Sequence, residues 1–469
     1  MSKVLNDYLR NITSTDRRVI LATLIVAAGF SVSKFTGVLD DFIVARAFGA
    51  GNDLDAYYAA FGLPDLLFTL IAGGALAAAF IPVFTGYLTS GDREGAWKLA
   101  SSVINVAFLI TLAMAIMAAL IAPWLVRWFI APGFNLNQQL LTAELMRIIL
   151  ISTAIFSVSG IAMSALQANQ HFLLPALAPV MYNLGIIGGA MFLARPFTLT
   201  MPWGIQIHLQ PIKELGVYGL AVGVVVGALM HLLVQVPGLV RFGARWSPSF
   251  SLSDRGLRRV LVLLGPRILG LGVVQLSTLI TYNLASRLGT GAVTGLALAW
   301  RLMQMPETII ATAIGTAVFP TLSELAAQSR HSDLRTTMHK ALGAILLLTV
   351  PATVGLFLLR RPLAGLAFGR GNADIVAYAL QFYALGLVGH SALEVAARTF
   401  YAQQDTRTPL FVAAGAMLVT VTASLALMRP LSYGGLALGN AIGFTVESGT
   451  LVWLMERRLA RQTLQAHDI

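Results

Sequence analysis

The residues that demand a chemical explanation are charges lodged in otherwise apolar stretches: Lys34, Asp40, Asp41, Arg267, Arg301, Glu307, Glu394 and Arg398. A charge at the centre of a bilayer costs at least about 2.5 kcal/mol, so it faces protein or a water-filled space. Lys34 lies 16 residues beyond Arg18, roughly 24 Å along a helix, and so falls well inside a membrane. Asp41 is seven residues further on nearly the same helical face, with Asp40 beside it and nearer the far surface. An inward lysine there can hold an anionic group; the plainer reading is that it pairs with an acid or snorkels. Arg267, in "GPRILGLG", and Arg301, in "AWRLMQMP", add two guanidinium groups on helices expected to border a cavity. Their planar fork suits phosphate, to which it donates two parallel hydrogen bonds; the alternative for each is a neighbouring acid. Glu307 is six residues past Arg301 and points elsewhere, so it is only a weak signal for ion coupling. Glu394 and Arg398 stand four apart on one helix and read as partners of each other.

These charges suit the binding of an anion better than covalent catalysis. With no cysteine, disulfides, thiolate nucleophiles and cysteine–zinc sites are excluded. The seven histidines have no metal-ligand spacing, and no G-x-x-x-x-G-K-[ST] loop is present to bind a nucleotide's phosphates. The expectation is therefore a transporter, with no metal and no cofactor. A coupling monovalent cation, the membrane potential or the substrate's own gradient would drive it.

The elements that must hold the charges are transmembrane helices. Hydrophobic residues make up 57% of the chain and charged residues 11%, with a mean hydropathy of +0.76. A soluble domain carries roughly a quarter charged residues, so this chain has too few to cover a water-facing surface. The apolar runs are continuous and not alternating over about ten residues, which argues against a barrel. They divide into twelve spans: about 19–47, 56–87, 99–129, 143–168, 172–194 and 215–240, then about 258–287, 292–325, 338–367, 375–402, 408–428 and 433–455. The fold class expected is an all-α polytopic membrane protein. Met1–Arg18 is polar and lacks the form of a cleaved signal.

The net charge of +11 reads as orientation in the membrane and not as nucleic-acid binding. One side collects Lys3, Arg10, Arg17, Arg18, Arg93, Lys98, the run Arg241–Arg259, Arg330, Arg335, Lys340, Arg407, Arg457, Arg458 and Arg461. That side is expected to be cytoplasmic, with both termini inside; Arg360, Arg361 and Arg370 are the main contrary cluster.

The two halves repeat. "FGAG" from Phe48 matches "LGTG" from Leu288, and "AAAFIPVFTGYL" from Ala77 matches "GTAVFPTLSEL" from Gly315. "QANQHFLLP" from Gln167 matches "YAQQDTRTP" from Tyr401, and "YGLAVG" from Tyr218 matches "GGLALG" from Gly434. Six spans per copy is an even number, so both copies enter with the same orientation. Two six-helix lobes are expected, residues 1–245 and 246–469, related by a pseudo-two-fold axis along the membrane normal.

Four segments carry a resemblance to a known family: "DDFIVARAFGAGNDLDAYYAAFGLPDLL" from Asp40, "GPRILGLGVVQLSTLITYNLASRLGTGAV" from Gly265, "AWRLMQMPETIIATAIGTAVFPTLSELA" from Ala299 and "FYALGLVGHSALEVAARTFYAQQDTRTPL" from Phe382. The chain resembles the MurJ/MviN lipid II flippases of the MOP exporter superfamily along essentially its whole length. The resemblance implies a cationic cavity between two lobes and alternating access. Undecaprenyl-pyrophosphate-linked peptidoglycan precursor would cross the inner membrane with its tail left in the bilayer. Lys34, Arg267 and Arg301 would then bind the lipid-linked anionic substrate, while Asp40, Asp41, Asp55, Glu307, Glu394 and Arg398 are candidates for coupling or gating. Arg301, Asp41 and Asp55 match the family pattern; Lys34 and Asp40 stand where members usually have arginine. Members also carry two further C-terminal helices, whereas this sequence stops shortly after span twelve. The partners implied are membrane lipid and cell-wall synthesis proteins. The competing readings are a flippase for another polyprenyl-linked glycan, a MATE-like drug/cation antiporter, and a non-transporting membrane scaffold.

Overall fold

Apolar runs this long must become helices in a bilayer, because only a helix satisfies its own backbone there. The computed structural model describes residues 14–72, 74–200, 206–248 and 255–467; the first basic residues, Lys3 and Arg10, lie outside them. The first half contains α1 (Ser14–Phe48), α2 (Asn52–Ala60), α3 (Gly62–Leu67), α4 (Gly74–Thr89), α5 (Arg93–Leu120), α6 (Ala122–Leu125), α7 (Leu136–Ala168), α8 (Leu173–Phe192), α9 (Tyr218–Leu233) and α10 (Val236–Arg241). The second contains α11 (Arg255–Ala285), α12 (Ala292–Glu307), α13 (Ala313–Ala327), α14 (His331–Leu358), α15 (Arg360–Phe368), α16 (Ala373–Ala402) and α17 (Arg407–His467). Ser432 (φ 48°, ψ −139°), two residues after Pro430, breaks α17 into two helices. Among the described residues, eight helical segments are long and apolar enough to cross a membrane.

One element departs from an all-helical reading. Phe197–Thr200 (β1) and Gln206–Leu209 (β2) form an antiparallel hairpin between α8 and α9, with Phe197 opposite Leu209 and Thr198 opposite His208. The sequence there reads as a plain loop because each strand is only four residues long.

One proline in each of spans 2 and 8 precedes a widened turn, whereas Pro82 and Pro320 sit within regular α-helix. Pro64 precedes a π-helical turn at Phe68–Ala72, and Pro306 precedes another at Thr308–Thr312. A proline removes an i→i−4 hydrogen bond, and a π turn takes up the offset. The repeated motifs also share backbone geometry. Gln170 (φ 59°) and Gln404 (φ 60°) occupy the same place in their motifs, in the left-handed region. The next residue closes each turn in the same way, His171 N–H to Leu166 O at 2.9 Å and Asp405 N–H to Phe400 O at 3.0 Å.

Contacts divide the chain into two compact units. One comprises Met1–Ala47, Leu63–Ile121 and Glu144–Leu269; the other comprises Phe48–Gly62, Ala122–Ala143 and Gly270–Ile469. In the first, α8 and α9 approach through glycines: a Cβ at Gly185 or Gly189 would come within 2.2–2.7 Å of Gly227, Gly219 and Gly223 backbone atoms. Helices that gain no hydrophobic drive from lipid associate by such close packing. In the second unit α16 is the hub, packed on α12, α13, α14, α15 and α17.

Candidate functional site

The charged residues fall into separate clusters within each unit. In the first unit Lys34 is exposed on α1, while Asp40 and Asp41 are 8% and 7% exposed. The turn that carries Lys34 is pinned from α8, where the Asn183 side chain donates to Ser33 O at 3.0 Å and to Thr36 Oγ1 at 2.9 Å. That contact sets the rotation of α1 about its axis, and with it the direction of Lys34. Asp40 and Asp65 both act electrostatically on Tyr182 of α8. Asp65 was not picked out from the sequence, although it is an acid within an apolar span directly after Pro64, the same signal that marked the others. Arg267 lies on α11; its side chain is outside the described residues.

The second unit holds Asp55, Arg301, Glu307, Glu394 and Arg398. Asp55, fully buried on α2, is a helix cap supplied from a distant part of the chain. Its carboxylate accepts Gly291 N–H at 2.5 Å, Thr294 N–H at 2.7 Å and the Thr294 hydroxyl at 2.7 Å. Those donors open α12, whose N-terminus attracts negative charge. Gly291 itself is left-handed (φ 86°), so the turn before α12 favours glycine. Further bonds join the same loops: Thr290 Oγ1 to Asn52 Oδ1 at 3.0 Å, and Ala50 N–H to Asn372 Oδ1 at 2.6 Å. Gly133 N–H donates to Ser286 Oγ at 3.1 Å, and Asn283 Nδ2 donates to Phe129 O at 2.7 Å. First-half loops are thus stitched to the second-half helices that share their unit.

Two turns along α12, Arg301 is exposed and its guanidinium carbon stands 5.3 Å from the centre of the Tyr58 ring, itself buried on α2. The negative face of an aromatic ring attracts such a cation and helps fix its position. Glu394 and Arg398 form an ion pair on α16, and Arg398 Nη1 also donates to Glu394 O at 3.0 Å. The guanidinium lies over Gly315 of α13, where a Cβ would come within 2.6 Å of Nη1. Glu307 and Tyr401 are within electrostatic reach of Arg398, and Glu447 of α17 is within reach of Tyr401. Glu447 is a second intramembrane acid passed over in the sequence, set in "FTVESG" near the chain's end. Among the described residues no group of three or more histidines and acids is arranged to hold a metal ion.

The geometry therefore gives exposed cations at Lys34 and Arg301, a satisfied structural carboxylate at Asp55, and a paired charge cluster around Arg398. Residues 44–468 match the family described as lipid II flippase MurJ. The chain belongs to that family. It is 31% identical over 451 residues to the lipid II flippase MurJ of Burkholderia cenocepacia, covering 94% of this chain and 84% of that one. It is 30% identical over 451 residues to a probable lipid II flippase MurJ of Rhizobium tropici, covering 92% and 81%. Among solved structures it is similar to a lipid II flippase MurJ in an inward closed conformation, with a TM-score of 0.76 at 23% identity over 94% of this chain and 90% of that one. An inward-facing MATE family multidrug transporter of the MOP superfamily gives a TM-score of 0.73 at 16% identity, over 93% and 99%. At those identities the structural likenesses establish the fold: an all-helical, multi-pass membrane protein shared by the flippases and the drug exporters.

Proposed function

We propose that the chain translocates lipid II across the inner membrane by alternating access. The observation that carries this reading is the family match over residues 44–468. Lys34, Arg267 and Arg301 are its substrate cations, offsetting a pyrophosphate that cannot cross hydrocarbon alone. Exposure of Lys34 and Arg301 within apolar spans supports those roles. Asp40, Asp41, Glu307, Glu394 and Arg398 serve coupling or gating, driven by a monovalent cation or the membrane potential. Asp55 serves gating through the cap it places on α12.

The topology that goes with this reading is twelve spans in two parallel six-helix lobes, 1–245 and 246–469, with both termini cytoplasmic. The matched turns at Gln170 and Gln404 and the matched π turns after Pro64 and Pro306 support it. The MATE-like fold keeps a drug/cation antiporter as the second reading. Complementation of a bacterium depleted of its own lipid II flippase, with insertion checked in parallel, separates the two. Rescue that is lost with Arg301→Ala supports lipid II translocation. Failure of a well-inserted chain to rescue growth refutes it.

A further inference from the structure

The last turns of α4 and the first turns of α11 line an open cleft of about 530 Å3, within the size range of ordinary ligand clefts. Its wall is apolar, formed by Pro82, Val83 and Leu263; its rim carries Tyr87, Ser90 and Arg259. Arg259 is exposed and forms no ion pair or hydrogen bond among the described residues, and the Tyr87 hydroxyl has no hydrogen-bond partner there. Ser90 Oγ donates to Tyr87 O at 2.9 Å, which leaves its lone pairs at the rim and the two donor groups for a ligand. The acids on the adjoining turn are already engaged: Asp92 accepts Gly95 N–H at 2.8 Å, and Glu94 pairs with Lys98 at 2.7 Å. Among the described residues no acid is paired with the guanidinium. In the topology proposed above, this rim lies at the cytoplasmic surface of the bilayer.

An apolar wall below an unpaired guanidinium and a phenol matches an amphiphile with an anionic head. A guanidinium fork fits phosphate oxygens, and the wall takes the first carbons of the chain. We propose that this cleft is a lipid-phosphate site, in which Arg259 and Tyr87 hold the phosphate and Pro82, Val83 and Leu263 receive the start of the hydrocarbon chain. The proposal rests on the membrane topology and does not require that lipid II be the transported substrate. A bilayer glycerophospholipid and a polyprenyl diphosphate share this chemistry.

Gly86 gives a way to close the site without removing a charge. A Cβ built there meets nothing within 4 Å, so Gly86→Leu is compatible with the helix and fills the cleft. The full chain in detergent is titrated with phosphatidylglycerol, with diacylglycerol of the same acyl chains, and with undecaprenyl diphosphate, and bound lipid is read by native mass spectrometry. The expected result is phosphate-dependent binding that Arg259→Gln and Gly86→Leu each weaken roughly tenfold, the scale of one lost charge-assisted contact. Tyr87→Phe, on the rim, weakens it less. Tighter binding of phosphatidylglycerol assigns a bilayer lipid, and tighter binding of the diphosphate assigns the isoprenoid. The proposal is overturned if no phosphate lipid binds, if diacylglycerol binds as well as phosphatidylglycerol, or if both variants keep wild-type affinity. None of these readouts involves transport, so they separate failure of this site from failure of the flippase reading.

Discussion

Replacing Asp55 with alanine should loosen the link between the first-half loops and α12. The carboxylate serves Gly291 N–H, Thr294 N–H and the Thr294 hydroxyl in a fully buried setting. Alanine leaves two backbone donors orphaned. A buried unsatisfied donor costs about 1–3 kcal/mol, so the loss of two should come to roughly 2–6 kcal/mol. That exceeds the ~0.5–2 kcal/mol of an ordinary helix cap because burial keeps water from substituting. Asp55→Asn keeps one acceptor oxygen but turns an amide toward the donors, and should cost about half as much. Thr294→Val removes a single hydroxyl contact and should cost about 1 kcal/mol. Thermal unfolding in detergent should therefore rank the variants Ala, Asn, Val from least to most stable.

A second readout uses the absence of cysteine. Cysteines at Asn52 and Thr290, whose side chains are bonded at 3.0 Å, should cross-link readily in an otherwise wild-type background and more slowly once Asp55 is alanine. If Asp55→Ala melts with the wild type and cross-links at the same rate, the capping argument is wrong.

Arg301→Ala should abolish rescue of flippase-depleted cells while membrane insertion stays normal; full rescue by a well-expressed variant would remove Arg301 from the substrate path. Lys34→Arg should be tolerated and Lys34→Glu should not, and equal activity of the two in the same assay would make the charge at that position irrelevant. For Arg398 and Glu394, each single neutralisation leaves an intramembrane charge without its ion-pair partner, at a cost of up to about 2.5 kcal/mol. The double variant Glu394→Gln with Arg398→Gln should be more stable than either single one, which a double-mutant cycle of melting temperatures checks. Asp405, in the loop before α17, opposes its own burial with bonds from Thr408 N–H (3.0 Å), Thr408 Oγ1 (2.7 Å) and Arg458 Nη2 (2.7 Å), and its carboxyl is held below the usual carboxylate value. A depressed folded pKa gives stability that is present above the ordinary carboxylate pKa, about 4, and is lost as pH falls through the folded value. Melting curves of Asp405→Asn should lie below wild type at neutral pH and converge with it in acid; a constant gap would refute the linkage.

How much of this molecule was legible beforehand depends on how far apart the interacting residues lie. Membrane helices follow from hydropathy, because hydrocarbon leaves the backbone no other partner than its own turn. The ion pair of Glu394 with Arg398 is equally local, being set by the 3.6-residue period. The turns at Gln170 and Gln404 recur because their surrounding motifs recur. Asp55 marks the limit. Its partners lie 236 and 239 residues away, and no spacing rule joins an acid on α2 to the N-terminus of α12. The grouping of Phe48–Gly62 and Ala122–Ala143 with the second-half helices is a tertiary fact of the same kind. Asp65 and Glu447 were visible as letters but gained meaning only when Tyr182 and Tyr401 proved to be their neighbours. By itself the sequence determined that this chain spans a membrane as helices, repeats internally and carries a flippase family's motifs, since each of these rests on local composition and order. Which charges stay exposed, which are paired and which serve as structural caps was decided only by packing, because burial and partnership are properties of distant segments brought together.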